Sequence, residues 1–195
     1  MTNRTAGITA ALLTAALLTI TGCTTEVTGQ PATPTTTNTT PHLPPPPQHI
    51  DLNPITDPCT LLTPEQQDEL QFDWEPTIMD DYGQDETSAC RFAKNQFAPR
   101  HSVVVALAPS VPADRLIGSP NTHTEITDVN GFPAVLNHLM ADADDLDCFI
   151  EVSTAPGQSL GLQFSDRESG LESNCDNVQR AASMAMDTLI QLHGN

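Results

Sequence analysis

The chain has 195 residues, 38% of them apolar, with a mean hydropathy of −0.24 and a net charge of −18. That length fits one domain plus a tail. An excess of 25 acidic over seven basic side chains repels polyanions, which argues against nucleic acid or an anionic headgroup layer as a direct partner and for a soluble surface.

The chain opens on a charge-free run rich in Ala and Leu, Ala6 to Ile20, preceded by a single basic side chain, Arg4. Fifteen residues of helix rise about 22 Å, short of a ~30 Å hydrocarbon core, so the run reads as the core of a secretory signal and not as a membrane span. Ile20-Thr21-Gly22-Cys23 follows at once and resembles the lipobox of bacterial lipoproteins, in which the cysteine thiol receives a diacylglycerol and becomes the new N-terminus. The resemblance implies a signal peptide over 1–22, lipidation at Cys23, and a cell-membrane location on the outer, wall-facing side. An ordinary secreted protein with an incidental Cys23 is the alternative. Cleavage would remove only Arg4 among the charges, leaving six basic against 25 acidic residues, a net charge of −19.

From Cys23 to about residue 55 the chain is Thr, Pro, Gln and Asn, including Pro44-Pro45-Pro46-Pro47. Such a segment cannot bury enough surface to offset its ordering entropy. It is expected to be a tether, stiffened by polyproline II, that reaches roughly 100 Å at ~3.1 Å per residue. Thr33, Thr35, Thr36, Thr37, Thr39 and Thr40 are candidate O-glycosylation sites, and His42 and His49 are expected in solvent.

A single domain is expected over 56–195. Thr63 as N-cap, Pro64 at the first helical position and Gln66 at the third make a capping box, predicting a helix from Pro64 to about Leu70. An acidic loop containing Asp80, Asp81, Asp85 and Glu86 leads to a strand at Ala89–Ala93. Ser102–Ala108 is apolar on both parities, as in a central covered strand. Glu125–Val129 and Ala134–His138 flank the turn run Asn130-Gly131-Phe132-Pro133. A second hairpin pairs Cys148, Ile150 and Val152 with Leu160, Leu162 and Phe164 across Ala155–Ser159. Cys175, Val178, Ala182, Ala185, Leu189 and Leu192 recur at steps of three and four, one stripe of a last helix with Ser173 as its cap. The class expected is α+β: an antiparallel meander of about six strands with N- and C-terminal helices packed on it.

Apart from Cys23 there are four cysteines, Cys59, Cys90, Cys148 and Cys175, with no CxxC and no Cys/His cluster at zinc spacing. In an exported chain an even count reads as two disulfides. Three connectivities are open. Cys175 lies on the buried stripe of its helix and Cys148 points inward, which favours Cys148–Cys175 and leaves Cys59–Cys90.

Asp57-Pro58-Cys59 with Leu61-Leu62-Thr63, Cys90-Arg91-Phe92, Val129-Asn130-Gly131-Phe132-Pro133-Ala134, Cys148, and Cys175 opening an Ala-rich helix together resemble a family of actinobacterial lipoproteins of unknown function. The resemblance implies a wall-side, membrane-anchored protein and carries over no catalytic residue.

The motifs with chemical potential each have a plainer reading. Gly157-Gln158-Ser159-Leu160-Gly161 matches a nucleophile elbow, with Asp166 and His193 following in hydrolase order, but a turn precedes Ser159 and a strand follows it, the reverse of what an elbow needs. Asp142, Asp144, Asp145 and Asp147 fail the EF-hand pattern, whose sixth and twelfth positions are here Asp147 and Ser153. They read as a solvated hairpin loop, with a looser calcium site as the alternative. His123 and Glu125, two apart on a strand, share a face as an acid/base pair or half a metal site would, but without a third ligand they read as an exposed polar edge. Trp74 and Tyr82, each the sole residue of its type, fall between the first helix and the first expected strand. Trp74 reads as a core plug, and the loop itself as the first candidate binding surface.

No catalytic constellation and no cofactor site emerges. The function expected is a monomeric, non-enzymatic binding or interaction module at the cell envelope, membrane-held through its lipid, with an envelope protein or a small ligand as partner. An apolar-ligand or lipid carrier and a wall-directed hydrolase are the alternatives.

Overall fold

Asp57, Pro58 and Thr63 punctuate the start of the domain as their chemistry dictates. In the computed structural model, which describes residues 42–83, 87–139, 147–168 and 170–193, the Asp57 carboxylate accepts the Cys59 N–H at 2.9 Å and opens a 3-10 turn over Pro58–Leu61. Thr63 Oγ1 accepts the Gln66 N–H at 3.3 Å while Gln66 Oε1 accepts the Thr63 N–H at 2.8 Å. This is the reciprocal pair of a capping box, and it opens α1 (Pro64–Glu69). The helix buries none of its own residues. Leu61 and Leu62 before it and Leu70 and Phe72 after it enter the core instead.

Seven antiparallel strands follow, one more than expected: β1 (Trp74–Tyr82), β2 (Thr87–Lys94), β3 (His101–Ala108), β4 (Thr122–Val129), β5 (Phe132–Leu139), β6 (Cys148–Ala155) and β7 (Gln158–Asp166), and then α2 (Leu171–His193). The additional strand is β1, in the stretch read as a loop. It lies at the sheet edge, carries Pro76, Asp80 and Asp81, and breaks register with β2 twice. Proline, charge and irregularity blunt an edge strand and erase the alternation that would announce it.

The spatial order is β1-β2-β3-β7-β6-β5-β4. The single meander expected is thus two, β1 to β3 and β4 to β7, joined where β3 pairs with β7 from His101↔Asp166 to Ala108↔Ser159. The link between them, residues 109–121, must cross the sheet. Leu160, Leu162 and Phe164 face α2, so Ser159 faces away from it, and its hydroxyl bonds Val111 O at 2.9 Å. The link therefore runs over the helix-free face, burying Val111 and Ala113.

On the other face α2 seats fully buried Val178, Ala181, Ala182, Ala185, Met186 and Leu189 against β6 and β7. The helix starts at Leu171, two residues before the expected cap Ser173, directly after Gly170 at φ +83°. Its buried stripe ends at Leu189, and Leu192 is exposed. Cys59–Cys90 ties the 3-10 turn to β2 and Cys148–Cys175 ties α2 to β6, with Cα separations of 5.0 and 5.1 Å. Asn130 and Gly131 form a tight turn with φ +53° and +82°, so Phe132 and Pro133 already belong to β5.

The folded unit begins before residue 56. Ile50 and Leu52 are fully buried, the Ile50 N–H donating to Thr154 O at 2.8 Å and the Leu52 N–H to Gln158 Oε1 at 2.8 Å. Two apolar side chains one residue apart dock a segment whose overall composition reads as tether. His42 and His49 are exposed, as expected, with His42 Nδ1 lying 2.8 Å from Asp114 Oδ2. Cys23, the candidate glycosylation threonines, Asp142, Asp144 and Asp145 lie outside the described residues. No helix among the described residues is long and apolar enough to cross a membrane.

Candidate functional site

The helix-free face can be read from the strand register. Ala89, Ala106, Gly161 and Glu151 stand side by side across β2, β3, β7 and β6, and Val104, Gln163 and Phe149 form the next row. Small residues at the centre leave a trough. Tyr82 from β1, Phe149 from β6 and Arg115 from the crossing link wall it in, giving an open cleft of about 300 Å3. That is at the lower end of the range for small-molecule sites.

Two features of the cleft run against strand chemistry. Glycine inside a strand weakens it unless something must approach closely, and here a Cβ on Gly161 would lie 3.0 Å from Glu151 Oε2. Glu151 sits between Ile150 and Val152 and is only 8% exposed. A buried carboxylate persists when it is paired and hydrogen-bonded. Glu151 has both kinds of partner: Oε1 lies 3.3 Å from Arg115 Nη2, and Oε2 accepts from Ser159 Oγ at 3.0 Å.

A second polar chain runs beside the first. The Tyr82 hydroxyl donates to Gln163 Oε1, and Gln163 Nε2 donates to Asp147 Oδ2 at 2.6 Å. Burial raises the Tyr82 phenol above the ordinary tyrosine value, and the negative charges of Asp147 and Glu151 push it the same way. Among the residues of these two chains, two carboxylates face one guanidinium, so the site favours a positive charge over a negative one.

The residues singled out in the sequence scatter over the fold. Tyr82 lines the cleft, but Trp74 stands at the opposite end of β1, about 26 Å of strand away at ~3.3 Å per residue. Trp74 is 57% exposed and is no core plug. Ser159 is completely buried beneath Val111, its hydroxyl shared between Val111 O and Glu151, and β7 continues straight after it. Asp166 lies at the far end of the same strand, roughly 23 Å on. Its Oδ1 accepts the Glu168 N–H at 2.8 Å. The structure therefore does not bring Ser159 and Asp166 together. Of the four clustered aspartates, only Asp147 is described. No group of three or more His, Cys, Asp or Glu placed to hold a metal ion occurs among the described residues.

Arg115, Glu151 and Gln163 escaped the sequence reading, and Gly161 entered it only as the end of the elbow match, not as part of a cleft. A charge between Ile150 and Val152 and a glycine between Leu160 and Leu162 were the available signals. Each interrupts an otherwise apolar strand core on the same face.

Comparison with known proteins yields one family model, described as a protein of unknown function (DUF3558), which matches residues 18–188. No curated protein and no solved structure gives a match.

Proposed function

We propose, for a chain that belongs to this family of unknown function, a non-enzymatic binding module whose ligand site is the cleft on the helix-free face. The observation that carries the reading is the trough floored by Ala106, Ala108 and Gly161, with the nine-tenths-buried Glu151 and its partner Arg115 at its side. Its apolar floor and aromatic walls suit a small apolar body, and its charge balance suits one ammonium group on that body. Held by an acylated Cys23 on the outer face of the membrane, the domain would sample small molecules at the cell envelope. The lipobox resemblance supports this placement, and an actinobacterial source is part of the same proposal. A hydrolase would need a nucleophile other than Ser159, whose hydroxyl is buried.

The ligand reading is tested by calorimetric titration with phenethylamine, phenylpropanoate and phenylethanol as matched probes. Saturable binding of the amine, weaker binding of the other two, and loss of binding in Gly161→Val support it. Absence of binding by all three, or binding that Gly161→Val leaves intact, contradicts it. The anchor is tested separately by the mass of the N-terminal peptide from envelope-extracted protein, which should be that of Cys23 bearing acyl chains. An N-terminus at any other residue would refute lipid anchoring.

A further inference from the structure

On the opposite side of the sheet from the cleft, His123 of β4 and His138 of β5 stand directly across from each other. Their rings stack with centroids 5.1 Å apart and planes 17° from parallel. β4 is the edge strand opposite β1, His123 is exposed and His138 half-buried, so solvent reaches the pair. His138 Nδ1 lies 3.2 Å from Leu139 O. A carbonyl can only accept, so Nδ1 carries the proton and the neutral ring keeps its lone pair on Nε2. A backbone carbonyl that fixes the tautomer in this way is the usual support of a metal-binding imidazole.

The geometry points to a binding site for a divalent transition metal ion of the copper, nickel or zinc class at the His123–His138 pair. Imidazole nitrogen is the donor these ions prefer among side chains that are free here, since the four described cysteines are held in disulfides. Metal–nitrogen distances of about 2.0 Å require the two nitrogens to approach to roughly 3 Å. Directly opposed residues on an antiparallel pair have Cβ atoms about 5 Å apart, and the histidine χ2 torsion is broad, so rotation of the exposed His123 ring brings its nitrogen toward Nε2 of His138, which keeps its bond to Leu139 O. Water fills the remaining positions, and the chain's net charge of −18 favours a cation at its surface. This site is independent of the cleft and of what the cleft binds.

The test is titration of Cu2+ into the whole chain at neutral pH, followed by calorimetry and electron paramagnetic resonance. The expected result is one equivalent bound with hyperfine coupling to two nitrogens, weakened at least tenfold by His123→Ala and by His138→Ala, and unchanged by His49→Ala. A spectrum with a single nitrogen, or affinity that both substitutions leave unaltered, would mean an adventitious ion at another imidazole and would overturn the assignment. Because the chain has six histidines, the variants carry the assignment, and His123→Asn and His138→Asn, which keep a polar side chain at each position, repeat the test if an alanine variant folds poorly.

Discussion

Gly161 of β7 and Glu151 of β6 face each other across one rung of the sheet, and a Cβ on Gly161 would meet Glu151 Oε2 at 3.0 Å. The glycine is what lets a carboxylate lie flat on the centre of a sheet, beside Arg115. Replacing Gly161 by valine should push Glu151 off its partners and fill the trough. The expected cost is about 1–3 kcal/mol of stability, as for other overpacked sites, with loss of probe binding in the cleft. Chemical denaturation of Gly161→Val beside Glu151→Gln checks this, since the smaller change keeps the shape and alters only the charge.

Leu52 should behave as a core residue although it stands in a segment that composition marks as tether. Leu52→Ala is expected to cost about 2–5 kcal/mol, the range for emptying a buried leucine site, while exposed His49→Ala should stay within about 0.5 kcal/mol. Urea denaturation midpoints of the two variants provide the comparison. Equal midpoints would place residue 52 outside the folded unit.

What the sequence made legible was whatever is local. The Thr63–Gln66 capping box and the α2 stripe each depend on residues a few positions apart or on one helical period, whereas the cysteine pairing, across spans of 31 and 27 residues, was favoured among three connectivities only by the faces that Cys148 and Cys175 take. β1 was hidden because an edge strand with solvent along one side has no need of alternation, and Pro76 and its aspartates removed what remained. Ile50 and Leu52 were hidden by the polar residues around them. The cleft was illegible for a different reason: Glu151 and Gly161 meet within the β6–β7 hairpin, but Ala106 joins them only when β3 pairs with β7, and that pairing joins two meanders that are separate along the chain.

The disulfides should carry a large share of the domain's stability. Removing Cys148–Cys175 by paired alanine substitution opens a span of 27 residues, worth about 3–4 kcal/mol in the chain-entropy model. Removing Cys59–Cys90, with a separation of 31, should cost a similar ~3–4 kcal/mol. Thermal unfolding with and without reductant measures the combined effect. A reduced protein as stable as the oxidised one would contradict it.

Tyr82 offers a clean spectroscopic probe because it is the chain's only tyrosine. Burial is the first cause of its raised pKa, followed by Asp147 and Glu151, so phenolate absorbance should appear above the usual value of 10.0. Because the folded state holds this proton more tightly than the unfolded chain, the associated stability is intact below pH 10.0 and falls as pH rises through the folded-state pKa. Asp147→Asn should move the transition down. A titration at the unperturbed value in the native protein would show that Tyr82 does not pack against the cleft.

The most direct measurement of the central claim is a backbone amide NMR titration of the protein with phenethylamine. Shift changes centred on Ala106, Glu151, Gly161 and Gln163, saturating in the unsubstituted protein and absent in Gly161→Val, are the predicted result. Shifts centred elsewhere on the molecule, or no saturable shifts at all, would contradict the assignment of the helix-free cleft as the binding site.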